Sequence, residues 1–250
     1  LNGVKELIVI LTLINASEKA ACVARSCCTG STNEVLLVAE KFEGEANARF
    51  ERDFKTIADV LAQEAARAEI ACHFPELAAH VRGEECSEIG GVRITICDEV
   101  ERTADVLRYL VAPAVATRMA EAAHCNTKHS FCDNLPQDLL EIDTSDLGIW
   151  IDPIDATAEF ISGVRGEADA DHGLPSAAYI VSQGTTFRWD TCAPHAILRA
   201  KGGDLITYST QIPIPYNDET SVDTQQYSNK EGIIAYSDEA VLEKLKEVLN

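Results

Sequence analysis

The sequence predicts an α/β fold. Helix-forming stretches rich in Ala, Glu, Leu and Lys alternate with short runs of β-branched and apolar residues, the pattern of helices packed on sheets. Apolar residues make up 46% of the 250, enough for a sizeable core. Acidic residues recur where one expected element hands over to the next, and such junctions are where α/β proteins collect their chemistry.

Residues 4–28 carry spaced apolar positions around Ser17 and Glu18, which predicts one long helix or a helical hairpin. The longest apolar run, Leu7–Ile14, falls far short of the roughly 20 residues a membrane helix needs. Lys5-Glu6 makes a poor leader flank and no A-x-A site follows, so a buried helix or strand is expected there. After the breaker Gly30–Asn33, the composition of Glu34–Phe50 predicts a second helix. A third is expected from Asp59, as its N-cap, to a stop near Pro75. Gly83-Glu84-Glu85 and a Gly90-Gly91 turn lead into residues 92–97, VRITIC, whose alternation reads as a strand. Thr103–His124 is helical in composition, with Pro113 kinking or dividing it. Asn126–Asp146 is polar and turn-rich, and Leu147–Ile151 predicts a short buried strand ending at Asp152. A helix over Asp190–Ala200 would carry Pro194 in its first turn and stop at Gly202-Gly203. A strand over Gly232–Tyr236 and a helix over Asp238–Leu249 follow.

Forty-one acidic residues against twenty-one basic ones leave a formal charge of −20. Repulsion therefore disfavours nucleic acid and anionic membrane as partners, and a phosphorylated substrate would need cations to help it bind. The nine cysteines are scattered and odd in number, as in a reduced, cytoplasmic chain. Cys125 and Cys132, with His124 and His129, form a conceivable zinc group. However, adjacent ligands such as His124-Cys125 rarely face one ion, so dispersed surface residues are expected instead.

The most informative segment is Trp150-Ile-Asp-Pro-Ile-Asp-Ala-Thr157. Pro153 stiffens a turn on which Asp152, the Ile154 carbonyl and Asp155 can face one point as hard oxygen ligands suited to Mg²⁺. A helix start follows, where the N–H groups of Ala156 and Thr157 can cradle a phosphate. Taken alone, a D-x-x-D pair is more often a capped turn. The acidic pair Glu84-Glu85 and a third junction, Trp189-Asp190-Thr-Cys-Ala, make coincidence the weaker explanation.

These segments resemble the signatures of the lithium-sensitive inositol monophosphatase superfamily: G-E-E-S, D-P-[IL]-D-[GS]-T and W-D-x-[CA]-A. Within it, residues 53–61, 149–155, 185–190 and 193–200 look most like the branch that removes the 1-phosphate from inositol polyphosphates. The resemblance implies the layered αβαβα sandwich of the sugar phosphatases, with residues 1–175 as an N-terminal α+β half and 176–250 as a shortened C-terminal α/β half. It implies that Glu84, Glu85, Asp152, the Ile154 carbonyl, Asp155 and Asp190 bind Mg²⁺, with Asp59 near a further metal or lithium position. Glu85, Thr157 and Asp59 would form the catalytic set, with Glu85 and Thr157 activating water. Asp155, Ala156, Thr157 and Thr185 would hold the substrate. The expected enzyme is an Mg²⁺-dependent, Li⁺-inhibited phosphatase of inositol 1,4-bisphosphate and inositol 1,3,4-trisphosphate, a cytoplasmic monomer with small-molecule partners only.

Three departures accompany the resemblance. Ala156 replaces Gly or Ser, Cys86 replaces the serine of G-E-E-S, and only thirty-four residues separate Asp155 from Asp190, where the family places well over a hundred. The shortening falls near residues 173–178 and would uncover apolar sheet surface and strand edges. It makes an inactive metal- or phosphate-binding form the alternative of another class. The 3′(2′),5′-bisphosphate nucleotidases, which share W-D-T-C-A-P, are the alternative enzyme.

Overall fold

The computed structural model describes residues 2–28, 37–42, 45–47, 51–126, 147–155, 157–162, 178–216 and 224–249. The chain divides into two compact units, one of residues 1–41 and 54–164, the other of residues 42–53 and 165–250. Helices and short strands alternate in both, as an α/β fold requires. Among the described residues, no helix is long and apolar enough to cross a membrane.

The first unit opens with α1, Asn2–Cys28, a single helix and not a hairpin. Its Val9, Ala16 and Val23 recur every seven residues, near two helical turns, and are buried. The residues expected as a second helix form instead, at Val38–Glu40, a strand β1. It pairs antiparallel with β2, Phe54–Thr56, with Val38 opposite Thr56. Helix propensity yields here because pairing with β2 and the packing of Ala39 on the core outweigh a preference of about a few tenths of a kcal/mol per residue. Helix α2 spans Ile57–His73. Thr56 is its N-cap and Asp59 its third residue, so Asp59 is the far partner in a capping box and not the cap itself. A 3₁₀ turn, Pro75–His80, leads to β3, Val81–Gly83.

Strands β4, Glu88–Ile89, and β5, Val92–Arg93, form a hairpin at Gly90-Gly91, both with positive φ. The strand expected over residues 92–97 thus stops after two residues, and residues 94–97 have no regular structure. Pro113 divides the next helical stretch into α3, Val100–Leu107, and α4, which begins at Pro113 and ends at Ala123. At that first position its missing N–H costs nothing. Strand β6, Ile149–Ile151, runs parallel to β3 with Gly83 opposite Ile151. Helix α5, Thr157–Ser162, follows. Ile57, Leu61, Ile89, Leu107 and Met119 form the main core, and Ile70, Phe74, Leu77 and Val81 a second one beside β3.

The second unit holds a three-stranded antiparallel sheet in the order β7, Ala178–Val181, then β9, Ile233–Tyr236, then β8, Asp204–Thr207. Helix α6, Arg188–Ala200, precedes β8, and α7, Glu239–Leu249, follows β9. Asp190 is the third residue of α6, and Pro194 lies inside the helix, one turn deeper than expected. Gly202, at φ 94°, ends it as anticipated. β7 is an edge strand among the described residues, and its Tyr179 and Ile180 are 62% and 39% exposed. The segment 127–146, with His129 and Cys132, lies outside the described residues, as does Ala156.

Candidate active site

The parallel pairing of β3 with β6 builds the site. Past the paired Gly83 and Ile151, both strands end, and the Glu84 N–H donates to the Ile151 carbonyl at 3.1 Å. Glu84 and Glu85 therefore leave one strand where Asp152 leaves its neighbour. Gln63 of α2 fixes the turn: its amide oxygen accepts from the Glu85 N–H at 3.0 Å, and its amide nitrogen donates to the Glu85 carbonyl. Gly83 is required because Gln63 lies where a Cβ would sit.

Lys41, one residue past β1, points its ammonium into this pair. Nζ lies 2.5 Å from Glu84 Oε1 and 2.8 Å from Glu85 Oε1, and the side chains of Lys41 and Glu85 are each 1% exposed. Burial alone would lower the Lys41 pKa, but the charges of Glu85 and Glu84 outweigh it, and the net shift is upward. For Glu85, burial pushes the carboxyl up to about 8, with Lys41 opposing and Glu84 and Asp59 reinforcing the rise. Oε2 of Glu85 is buried with no hydrogen-bond partner, a costly arrangement for a carboxylate unless a cation or proton joins it.

Asp59 is fully buried, and burial raises its pKa against hydrogen bonds from the Thr56 hydroxyl and N–H and the charge of Lys41. The Thr56 N–H donates to Asp59 Oδ2 at 2.7 Å. The Thr157 hydroxyl, at the start of α5, faces Asp59 Oδ1 at 3.4 Å and the Ile154 carbonyl at 3.2 Å. Helix α5 also packs against β2, so Thr157 is held over the start of α2.

The first unit thus brings together Asp59, Glu84, Glu85, Asp152, Ile154 and Thr157, with Asp155 exposed on the same turn. Asp190 and Thr185 belong to the second unit. There Asp190 Oδ2 accepts from the Phe187 N–H at 2.7 Å, and the Thr185 carbonyl accepts from Asn47 Nδ2 at 3.2 Å. Among the described residues, no three His, Cys, Asp or Glu side chains are gathered closely enough to hold a metal ion. In the first unit the positive charge comes from Lys41. Sequence reasoning missed Lys41 and Gln63. Lys41 stands among Glu40, Glu43 and Glu45 in a stretch whose composition reads as a helix, so nothing in the sequence set it apart. Gln63 had no signal beyond its place one turn after Asp59.

Cys86, which stands where the resembling signature has serine, accepts a hydrogen bond from the buried Lys55 Nζ at 2.9 Å. His195 is held between Asp204 and the Tyr216 hydroxyl, the latter at 3.1 Å. Trp189 is buried and stacks on Phe187 at 4.8 Å between centroids.

Comparison with known proteins points the same way. Residues 173–242 match the model of the inositol monophosphatase family. Human inositol polyphosphate 1-phosphatase is 37% identical over 168 residues, which cover 62% of this chain and 40% of that protein. The mouse protein of the same name is 37% identical over 182 residues, or 70% and 46%. The bovine one is 34% identical over 171, or 62% and 40%. The matches span less than half the length of these relatives. The chain is thus similar to the inositol polyphosphate 1-phosphatases, and its residues 173–242 to the inositol monophosphatase family.

Proposed function

We propose that this chain is a phosphoric monoester hydrolase that removes the 1-phosphate from inositol 1,4-bisphosphate and inositol 1,3,4-trisphosphate, with Mg²⁺ required and Li⁺ inhibitory. The observation that carries the reading is the buried carboxylate group at the joint end of β3 and β6, where Glu85 Oε2 lacks a partner. The donors are hard oxygens, which suit Mg²⁺. Glu84, Glu85, Asp152, the Ile154 carbonyl and Asp155 would hold it, joined by Asp190, with Asp59 at a further position. Bound there, Mg²⁺ would supply positive charge to phosphoryl oxygens and to the leaving oxygen.

The residues of the chain do the rest. The Thr157 hydroxyl, donating toward Asp59, keeps its lone pairs for a water on the substrate side, and Asp59, with its pKa raised by burial, can take the proton passed through Thr157. Glu85 orients the same water. Asp155, Ala156, Thr157 and Thr185 hold the phosphate and ring. The layered αβαβα sandwich of the family would frame this site. The acidic surface is reconciled with a polyanionic substrate because cations and Lys41 offset the local charge.

The test is phosphate release from inositol 1,4-bisphosphate by the purified chain, with and without Mg²⁺, with Li⁺, and beside Asp152→Asn. Magnesium-dependent release that Li⁺ inhibits and the substitution abolishes supports the reading. A folded, soluble chain that releases no phosphate overturns it and leaves a metal- or phosphate-binding form.

A further inference from the structure

Cys86 stands directly after the acidic pair, on a turn that α2 grips from both sides. The Gln63 side chain holds the Glu85 backbone, and the Ser87 hydroxyl donates to Glu64 Oε1 at 2.8 Å. The sulfur between these anchors is fixed as well. Its S–H donates to the Glu88 carbonyl at 3.3 Å, and it accepts from Lys55 Nζ at 2.9 Å. Lys55 lies on β2, thirty-one positions earlier in the chain, and is 1% exposed. Cys86 is a free cysteine and only partly buried. The fold thus holds a thiol that a small reagent reaches against an amine that the core encloses.

We propose that Cys86 and Lys55 form a redox modification site, which hydrogen peroxide closes into a sulfenamide, a covalent S–N bond between the two side chains. Cys86 Sγ attacks one peroxide oxygen, the O–O bond breaks, and a sulfenic acid and one water form. Lys55, as the free amine once one proton has left it, then attacks that sulfur through Nζ. The S–O bond breaks, and the hydroxyl departs with a second amine proton as water. The sulfur loses two electrons, and one peroxide becomes two waters. Sulfenic acids condense with nitrogen held against them, and a contact fixed by the fold replaces a chance encounter of the two groups. The bond ties the turn that carries Glu84 and Glu85 to the residue before Thr56, the N-cap of α2. Its formation needs neither Mg²⁺ nor phosphate release.

The experiment treats the folded chain with rising hydrogen peroxide, stops the reaction with catalase, blocks free thiols by alkylation, and maps tryptic peptides without reduction. Trypsin leaves Cys86 as the one cysteine of residues 83–93, and a modified Lys55 resists cleavage, which leaves residues 53–67, a peptide with no cysteine. The expected product joins 53–67 to 83–93 at a mass two hydrogens below their sum, forms in the folded chain and not in urea, and reverts with dithiothreitol. Because 53–67 holds no thiol, a disulfide cannot imitate it. Lys55→Arg should halt at the sulfenic acid, captured on Cys86 by dimedone, and Cys86→Ser should leave Lys55 open to trypsin. Circular dichroism shows that each variant is folded, and the wild-type chain decides the matter even where one is not. In it, a dimedone adduct or a disulfide at Cys86 with Lys55 still cleaved, or an intact Cys86 thiol once the exposed Cys72 is oxidised, would each overturn the proposal.

Discussion

Replacing Lys41 by Met tests the electrostatics of the site most directly. Met keeps the length of the stem and removes an ammonium that is 1% exposed and lies within 2.8 Å of two carboxylates. Breaking a buried pair on one side costs about 3–5 kcal/mol. The low end, about 3 kcal/mol, is expected at pH 7, because the Glu84 side chain keeps 22% exposure and Glu85, pushed up to about 8, is largely protonated there. The pH dependence adds a second signature. The folded pKa of Glu85 lies above its usual 4.5, so between these values the folded chain holds a proton that the unfolded chain has released. Stability therefore falls as pH rises through that window, by about 1.4 kcal/mol per unit, and levels off above the folded value. Without Lys41 the charge that opposes the rise is gone, and the fall continues past pH 8. The deficit of the variant should widen by about 1.4 kcal/mol per pH unit from there. Urea unfolding in EDTA at pH 7, 8 and 9, followed by tryptophan fluorescence and circular dichroism, measures this. A variant within about 0.5 kcal/mol of wild type at all three pH values would refute the reasoning.

Other outcomes are expected from the same geometry. Gln63→Ala removes both hydrogen bonds to the Glu85 backbone and should lower stability by about 2–3 kcal/mol in urea titrations; Gly83→Ala should have an effect in the same direction, because its Cβ would overlap Gln63. Thr157→Val, which loses the hydroxyl facing Asp59, should cut phosphate release by about 100-fold or more while leaving the melting temperature close to wild type. In the second unit, burial works against ionised Asp204, but hydrogen bonds from His195 and the Leu205 N–H hold its pKa below the usual range. This carboxylate therefore contributes stability above about pH 4, lost as pH falls through its folded value, so the gap between wild type and Asp204→Asn should be constant at neutral pH and close in acid. Millimolar Mg²⁺ should raise the melting temperature, and Glu85→Gln should reduce that rise; an equal rise in the variant would remove Glu85 from the proposed ligands.

The sequence by itself determined the α/β class, the helical character of α1, an interruption of the helical stretch at Pro113, and the strand that ends at Asp152. These are properties of local periodicity and of residues such as proline, which act through their own backbone whatever surrounds them. Only the tertiary structure decided the rest. Val38–Glu40 became a strand because Phe54–Thr56 was there to pair with it. Asp59 became the inner partner of a capping box because Thr56 offered the better cap. Glu84 meets Asp152 through the parallel register of β3 and β6, across a gap of sixty-seven sequence positions, and Lys41 completes the group from the end of a third strand. Composition and spacing report which groups are available, but burial, pairing partner and net charge at a point are sums over residues far apart in the chain, and only folding brings those residues within reach of one another.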